Sequence, residues 1–218
     1  MNAQSTRHDH TNQLVYKALK MVAKQSKERF LSNGKELFLT RGYTATTVDA
    51  ICEKTQLTKG SFYYFFDSKE NFGLAVLEWS LRRSVQMLGN GPHVGIAAPV
   101  EKAFAFLEHM EKCSPELWSG GCLLGSFALE LADTHSRIQQ AVATMFQAVT
   151  DYFADKLQPI ASQCSGKQAC SPNELAETLL GILEGSIILG KAHRDPSRVP
   201  KAIRDFRLRL ASETAQQV

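Results

Sequence analysis

Apolar residues recur at the spacing of one helix face along nearly the whole chain. In the stretch 26–41, for example, Phe30, Leu31, Gly34, Leu37 and Phe38 fall on one side of a helix. We find no run in which apolar and polar residues alternate for long enough to make a sheet. The pattern therefore predicts an all-α protein with about nine helices.

Caps and breaks predict where these helices begin and end. Residues 1–25 read as a polar, basic arm whose pattern is compatible with a helix from Gln13 onward, and Gly42 ends the first helix, which covers 26–41. Thr46 and Asp49 form a predicted capping box for the second helix. Further helices are expected at 47–54, 58–65, 69–88, from Pro99 onward, at 120–132, 135–157, 172–193 and 200–213, with a loop at 158–169. The clearest start is Ser171-Pro172-Asn173-Glu174, which combines an N-cap, a proline at the first position and a glutamate at the third.

Composition excludes several classes of protein. The 218 residues are 44% hydrophobic and 22% charged, which is typical of a globular domain. The longest apolar stretch, 179–190, is interrupted by Glu184 and is too short to span a bilayer. The first 25 residues lack the apolar core of a secretory signal, so we expect a cytoplasmic protein. The five cysteines contain no Cys-x-x-Cys, and no catalytic or phosphate-binding motif is visible, so we predict no metal site, no cofactor and no enzyme.

Two short predicted helices, 47–54 and 58–65, are joined by a three-residue turn, which is the spacing of a helix-turn-helix. The first 70 residues carry eleven Lys and Arg against seven Asp and Glu, whereas residues 71–218 carry fourteen against fifteen. Such an excess is compatible with nucleic-acid binding, although solvated surfaces show it too.

The helix at 58–65 combines an apolar face with a polar one. Phe62, with Phe65 or Phe66, is expected to face the core. The other side offers a cation, hydroxyls and phenols, which suit phosphate and base-edge contacts in a major groove. This outer face comprises Thr58, Lys59, Ser61, Tyr63 and Tyr64. Gly60 leaves room for the backbone to approach DNA, although a tyrosine-rich face is also typical of protein–protein interfaces.

Residues 29–72 resemble the DNA-binding domain of TetR-family transcriptional regulators. The resemblance rests on Gly42-Tyr43, Thr46-Thr47-Val48, residues 58–66 and Ser68-Lys69-Glu70. It implies dimeric repressors that bind operator DNA with their first three helices, hold a ligand among helices five to seven and dimerise through helices eight and nine. The DNA contacts that it implies are Thr47, Thr58, Lys59, Gly60, Tyr63, Tyr64 and Lys69. We therefore divide the chain into an arm (1–25), a helix-turn-helix domain (26–70) and a ligand-binding and dimerisation domain (71–218).

The motif Gly121-Cys122-Leu123-Leu124-Gly125, followed by Leu129-Glu130-Leu131, resembles the electrophile-responsive NemR-type subgroup. A cysteine at the position of Cys122 is associated there with sensing reactive compounds. The predicted helix start would also favour its thiolate and lower its pKa. The alternative is a small residue packed in the core. Cys113 is a candidate resolving thiol.

Two further sets of residues are candidate sites in the C-terminal region. Most of its aromatic residues belong to the core, but the resemblance implies that a few line a pocket. The candidates are Phe104, Trp118, Phe127 and Phe146. Gly181 and Gly185 leave one helix face bare, and the last helix has an apolar seam of Ile203, Phe206 and Leu210. These residues predict either a homodimer interface or packing within one chain.

We therefore predict a transcriptional repressor that binds a palindromic operator as a dimer. A small molecule in the pocket, or modification of a cysteine by an electrophile, would release it from the DNA. The alternative is a helical protein–protein interaction module that keeps the fold without specific DNA binding.

Overall fold

A computed structural model describes residues 4–118, 120–163 and 170–215. This part of the chain contains nine α-helices and no strand, which confirms the predicted all-α class. The helices are α1 (Gln4–Arg41), α2 (Val48–Thr55), α3 (Lys59–Phe65), α4 (Lys69–Gly89), α5 (Pro99–Trp118), α6 (Leu123–Leu131), α7 (Ser136–Ala161), α8 (Pro172–His193) and α9 (Arg198–Ala215). A 3₁₀ turn, Pro92–Gly95, precedes α5. None of the described helices is long and apolar enough to cross a membrane.

The chain forms two compact units, Met1–Val76 and Leu77–Val218. In the first unit, phenylalanines from α1, α3 and the start of α4 pack edge to face. The ring centroids of Phe30 and Phe62 lie 5.6 Å apart, and those of Phe62 and Phe72 lie 5.2 Å apart. All three side chains are fully buried. This aromatic core fixes the position of α3 against α1.

Three helix boundaries differ from those predicted. Helix α1 begins at Gln4 rather than at residue 26, because residues 4–25 contain no glycine or proline to stop a helix. Helix α7 runs past Pro159 to Ala161, into the predicted loop. Ile160 and Ala161 are buried, and their packing offsets the hydrogen bond that a proline removes. Residues 164–169, the end of that loop, lie outside the described residues. Helix α6 begins at Leu123 because Gly121 has a φ of 116°, which no helix allows.

The cap of α2 is Thr47 and not Thr46. The Thr47 side chain accepts a hydrogen bond from the backbone N–H of Ala50. Thr46 is fully buried, and its hydroxyl donates to the carbonyl of Gly42 at 2.6 Å instead of capping α2. The predicted capping box of α8 is confirmed, since Ser171 and Glu174 bond reciprocally. Ser68 caps α4 by accepting from Asn71 N–H.

The core of the second unit lies between α5, α7, α8 and α9. Leu107, Leu157 and Leu179 are among its fully buried side chains. Glu111 on α5 binds two arginines of α9, with N–O distances of 2.6 Å to Arg204 and 3.2 Å to Arg207. These ion pairs join α9 to α5 at the edge of the apolar core.

Candidate nucleic-acid interface and ligand sites

Helices α2 and α3 form a helix-turn-helix whose turn depends on one left-handed residue. Gln56 has φ 53° and ψ 38°, and its N–H bonds to the carbonyls of Cys52 and Glu53. A side chain in this conformation costs about 1 kcal/mol relative to glycine. Thr58 then caps α3 by accepting from Ser61 N–H at 3.1 Å. Local hydrogen bonds therefore set the angle at which α3 leaves the turn.

The outer face of α3 carries the predicted polar side chains. Tyr63 is 53% exposed and Tyr64 is 77% exposed, whereas Phe62 and Phe66 are buried. Lys59 and Gly60, in the first turn, are exposed as well. Ser61 is half-buried, and its hydroxyl shares a hydrogen bond with that of Thr58. The face thus offers two phenols and an ammonium group to a large partner.

Both lysines that are predicted to contact DNA already have partners within the protein. Lys59 Nζ lies 2.6 Å from Asp49 Oδ1, and this hydrogen bond is the main reason that the pKa of Lys59 is raised. Lys69 Nζ donates to the carbonyl of Thr44 at 3.2 Å and lies 4.3 Å from the ring centroid of Tyr43. Lys69 therefore also holds the α1–α2 loop in place. Thr47, which caps α2, is exposed beside this loop.

Comparison with known proteins places this interface in a family. Residues 30–76 match the family model of bacterial regulatory proteins of the tetR family. Residues 99–204 match the model for the C-terminal domain of LmrA/YxaF-like transcriptional regulators. The chain belongs to the TetR family. It is a DNA-binding transcriptional regulator, and this membership places it among regulators rather than enzymes.

Individual TetR-family relatives are distant. The HTH-type transcriptional repressor DhaR from a Mycobacterium species is 26% identical over 173 residues, which cover 78% of this chain and 84% of DhaR. The HTH-type transcriptional repressor NemR from Escherichia coli is 42% identical over 53 residues, which cover 24% of this chain and 27% of NemR. The crystal structure of a regulatory protein TetR from Rhodobacter sphaeroides superposes with a TM-score of 0.71, at 24% identity, over 85% of this chain and 97% of that one. This last likeness shows the shared fold alone.

The NemR-type character of the C-terminal region stays a prediction. The sequence similarity to NemR covers only about a quarter of the chain. Residues 99–204 instead match the LmrA/YxaF-like family model.

The four aromatic residues predicted to line a ligand pocket do not do so together. Phe127 is fully buried in the core, and Phe104 packs against the core from its edge. Phe146 is half-buried on α7. Trp118 lines a groove of about 380 Å³ between α5, α8 and the start of α9. The structure therefore does not bring these four side chains together at one pocket.

A cavity larger than this groove lies elsewhere in the second unit. It measures about 490 Å³ and is bounded by the last turns of α4, the 3₁₀ turn, the first half of α5 and the last third of α7. We call it the α4–α5–α7 cavity. Its polar lining residues are His93, Lys102, Tyr152, Asp155 and Lys156. Their scattered positions in the sequence explain why no motif marks the site.

Cys122 lies in a second groove, of about 370 Å³, between α6 and α8. It is the N-cap of α6, and its sulfur accepts from Gly125 N–H at 3.4 Å, as a helix start predicts. The expected lowering of its pKa was nevertheless wrong. Burial is the largest effect and raises the pKa of the thiol, and the carboxylate of Glu184 on α8 raises it further. A thiol that donates to a carboxylate is held in its protonated form.

Cys113 has a different neighbour from Cys122. Its sulfur lies 3.5 Å from His109 Nε2, four residues earlier on α5, a contact that the sequence pattern i, i+4 allows and that our sequence analysis overlooked. Both Cys113 and Cys122 are free thiols. Within the described residues, no three His, Cys, Asp or Glu side chains are grouped to hold a metal ion.

The predicted dimer residues separate into two groups. Ile203, Phe206 and Leu210 are buried in the core of their own chain, which favours the alternative of packing within one chain. Gly181 and Gly185 are exposed, and a Cβ atom built on either would meet nothing within 4 Å. Ile188 and Leu189, one turn further along α8, are half exposed. These four residues form a small, apolar face that we call the α8 face.

Proposed function

We propose that this protein is a transcriptional repressor that binds a palindromic operator as a homodimer and releases it when a small molecule binds its C-terminal unit. The observation that carries the proposal is the exposed face of α3, with Lys59, Tyr63 and Tyr64 held outward by a buried aromatic core. The names of DhaR and NemR support repression as the direction of control. Since bacterial DNA lies in the cytoplasm, the protein would act there.

Helix α3 suits a major groove for physical reasons. A helix fits the width of that groove, and residues in its first two turns reach the base edges. Gly60 lies in the first turn, where a side chain would keep the backbone away from a phosphate. The phenol groups of Tyr63 and Tyr64 can donate to or accept from bases and phosphates.

The α8 face supports dimerisation. Two glycines allow a second helix to approach closely, and the exposed side chains of Ile188 and Leu189 would be buried by it. A two-fold interface of this kind presents two α3 helices to two half-sites of a palindrome, which must lie about 34–36 Å apart on one side of the DNA.

Occupation of a cavity is a better-supported trigger than modification of Cys122. The raised pKa of this thiol leaves little thiolate to attack an electrophile. Cysteine modification therefore enters only as an outcome to test, by treating wild type and Cys122→Ser with a quinone. Equal release of DNA by both proteins would leave the reversible ligand as the trigger.

DNA binding is tested with gel shifts on the DNA that flanks the protein's own gene. Tyr63→Ala and Tyr64→Ala should each weaken specific binding by about 1–3 kcal/mol if the phenol reads a base. Lys69→Ala should weaken binding to all sequences alike and flatten its salt dependence. Leu129→Ala is the control, since Leu129 is 82% exposed and lies on α6 in the other unit. Unchanged affinity in all three test variants would contradict the proposal and favour a protein–protein interaction module.

The dimer is tested by Gly185→Leu and sedimentation at micromolar concentration. The new side chain has open space within its own chain, so the fold should survive while a close helix crossing is overfilled. We expect a shift from dimer to monomer. Ala148→Leu, at an exposed position on α7, is the matched control. A wild-type protein that sediments as a monomer would disprove the dimer.

A further inference from the structure

Two residues that line the α4–α5–α7 cavity carry buried polar atoms without a hydrogen-bond partner among the described residues. His93 is only 3% exposed, and its ring packs edge to face on Phe106 with centroids 5.3 Å apart. Its Nδ1 atom is buried and has no hydrogen-bond partner in the described part of the chain. The hydroxyl of Tyr152, a lining residue on α7, is also buried and also has no hydrogen-bond partner among the described residues.

Unsatisfied buried polar atoms are rare, because each has given up water without a replacement. Two of them belong to residues that line one cavity, so a molecule that enters it could satisfy them once their side chains turn toward it. A neutral imidazole can carry its proton on Nδ1 and donate it, and a phenol can donate as well. Both groups would therefore suit a ligand that brings hydrogen-bond acceptors.

The charges around the cavity favour an anion. Lys102 and Lys156 line it from α5 and α7, and Lys156 also lies 5.2 Å from the ring centroid of Tyr152. Asp155 is the acidic lining residue and pairs with Lys156 at 2.8 Å, so Lys102 leaves the lining with one net positive charge. The pKa of His93 is lowered by burial and then by His109, Lys156 and Lys102, which is the expected effect of a positive local potential.

The remaining walls are apolar. They are formed by Val85, Ala97, Pro99, Ala103, Phe106 and Pro159. A volume of about 490 Å³ lies within the usual range for sites that hold a small organic molecule. The walls would bury a hydrocarbon or aromatic body, while the polar groups would hold its charged end.

We propose that the α4–α5–α7 cavity binds a small organic carboxylate with an apolar body, held by Lys102, Lys156, His93 and Tyr152. This inference rests on the proposed function in one respect: such carboxylates would be the class of inducer. The cavity itself can be tested without DNA, so the two ideas can fail separately.

The first test uses calorimetry on the purified full chain with three probes of one shape. 2-Naphthoate should bind, whereas its neutral amide and the cationic 2-naphthylmethylamine should bind at least about tenfold more weakly, because they lack the negative charge. Lys102→Gln combined with Lys156→Gln should weaken naphthoate binding about tenfold or more. Lys112→Gln is the control, since Lys112 is an exposed lysine of α5 that pairs with Glu108.

A second test separates binding from packing. Tyr152→Phe removes the unsatisfied hydroxyl, so the melting temperature of the free chain should rise while naphthoate binds several-fold more weakly. A lower melting temperature with unchanged naphthoate affinity would assign the hydroxyl to an internal water and overturn its role in binding.

The outcomes are distinct. No heat of binding for naphthoate at millimolar concentration, equal binding of naphthoate and its amide, or no effect of the double lysine substitution would each overturn the carboxylate site. Naphthoate binding with no operator binding by the same protein would uphold the site and contradict the proposed function. Operator binding that persists when naphthoate saturates the site would remove its role as an inducer class.

Discussion

The two units of this protein expose and bury their polar groups in opposite ways. In the first unit, Tyr63 and Tyr64 lie on the outside of α3, over a core built largely from phenylalanine rings. In the second unit, the notable polar groups are inside. His93 and Tyr152 lie beside a cavity, and Glu184 faces the Cys122 thiol in a groove.

This difference indicates the size of the partner that each unit suits. A convex, exposed face needs a partner large enough to cover it, and DNA is such a partner. Buried groups next to a cavity can be reached only by a molecule that fits inside. If this difference holds, substitutions inside the first unit should change its stability through packing. Substitutions of buried polar groups in the second unit should change the chemistry of their neighbours.

The largest expected effect concerns packing in the first unit. A Cβ atom at Gly34 on α1 would lie 2.3 Å from a ring atom of Phe72, which is fully buried. Gly34→Ala should therefore lower the free energy of unfolding by about 1–3 kcal/mol, even though alanine favours a helix. Gly60→Ala is the control, because its Cβ would meet only the Thr58 hydroxyl, at 3.7 Å. Urea denaturation measures the free energy of unfolding of both variants. Equal values would show that the aromatic core rearranges at little cost to make room for the added methyl group.

The next effect concerns the buried pair of the second unit. Glu184→Gln removes the charge that raises the pKa of Cys122, so more thiolate should be present at a given pH. A less basic thiolate is also a weaker nucleophile, which offsets part of this gain. The alkylation rate should therefore rise roughly 3- to 30-fold. Peptide mapping after timed iodoacetamide treatment at pH 8 measures it. Glu177→Gln, exposed on the same helix, should leave the rate unchanged. A rate for Glu184→Gln equal to that of wild type would mean that burial alone keeps the thiol protonated.

The smallest effect concerns charge on the outer face of the first unit. Asp49 pairs with Lys59 and would also repel DNA phosphates. Asp49→Asn should raise DNA affinity about two- to fivefold at low salt, and the gain should shrink as salt increases. The comparison is made by gel shift against Asp133→Asn, an exposed position in the second unit. Weaker binding by Asp49→Asn would mean that the ion pair positions Lys59 for its contact.

The extent of successful prediction also differs between the units. In the first, the periodicity of residues 58–66 predicted that Phe62 is buried and that Tyr63 and Tyr64 are exposed, and both are confirmed. The cap of α2 was misplaced by one residue because two adjacent threonines can each cap a helix, and only the burial of Thr46 in the tertiary structure distinguishes them. In the second unit, only Phe127 of the four aromatic residues proposed for a pocket is fully buried, and Trp118 lines a groove, since hydrophobic spacing does not tell a filled interior from a cavity.

The sequence by itself determined the helical class, the strongest caps and the outward face of α3, because each depends on residues within about four positions of one another. The tertiary structure decided the rest. It placed His93 and Tyr152 beside one cavity, brought Glu184 to Cys122 and turned Ile203, Phe206 and Leu210 inward while the α8 face stayed exposed. These features depend on contacts between helices that are far apart in the chain. A thiol at a helix start shows the reason: its local hydrogen bonds favour the thiolate, but burial and a carboxylate from another helix outweigh them.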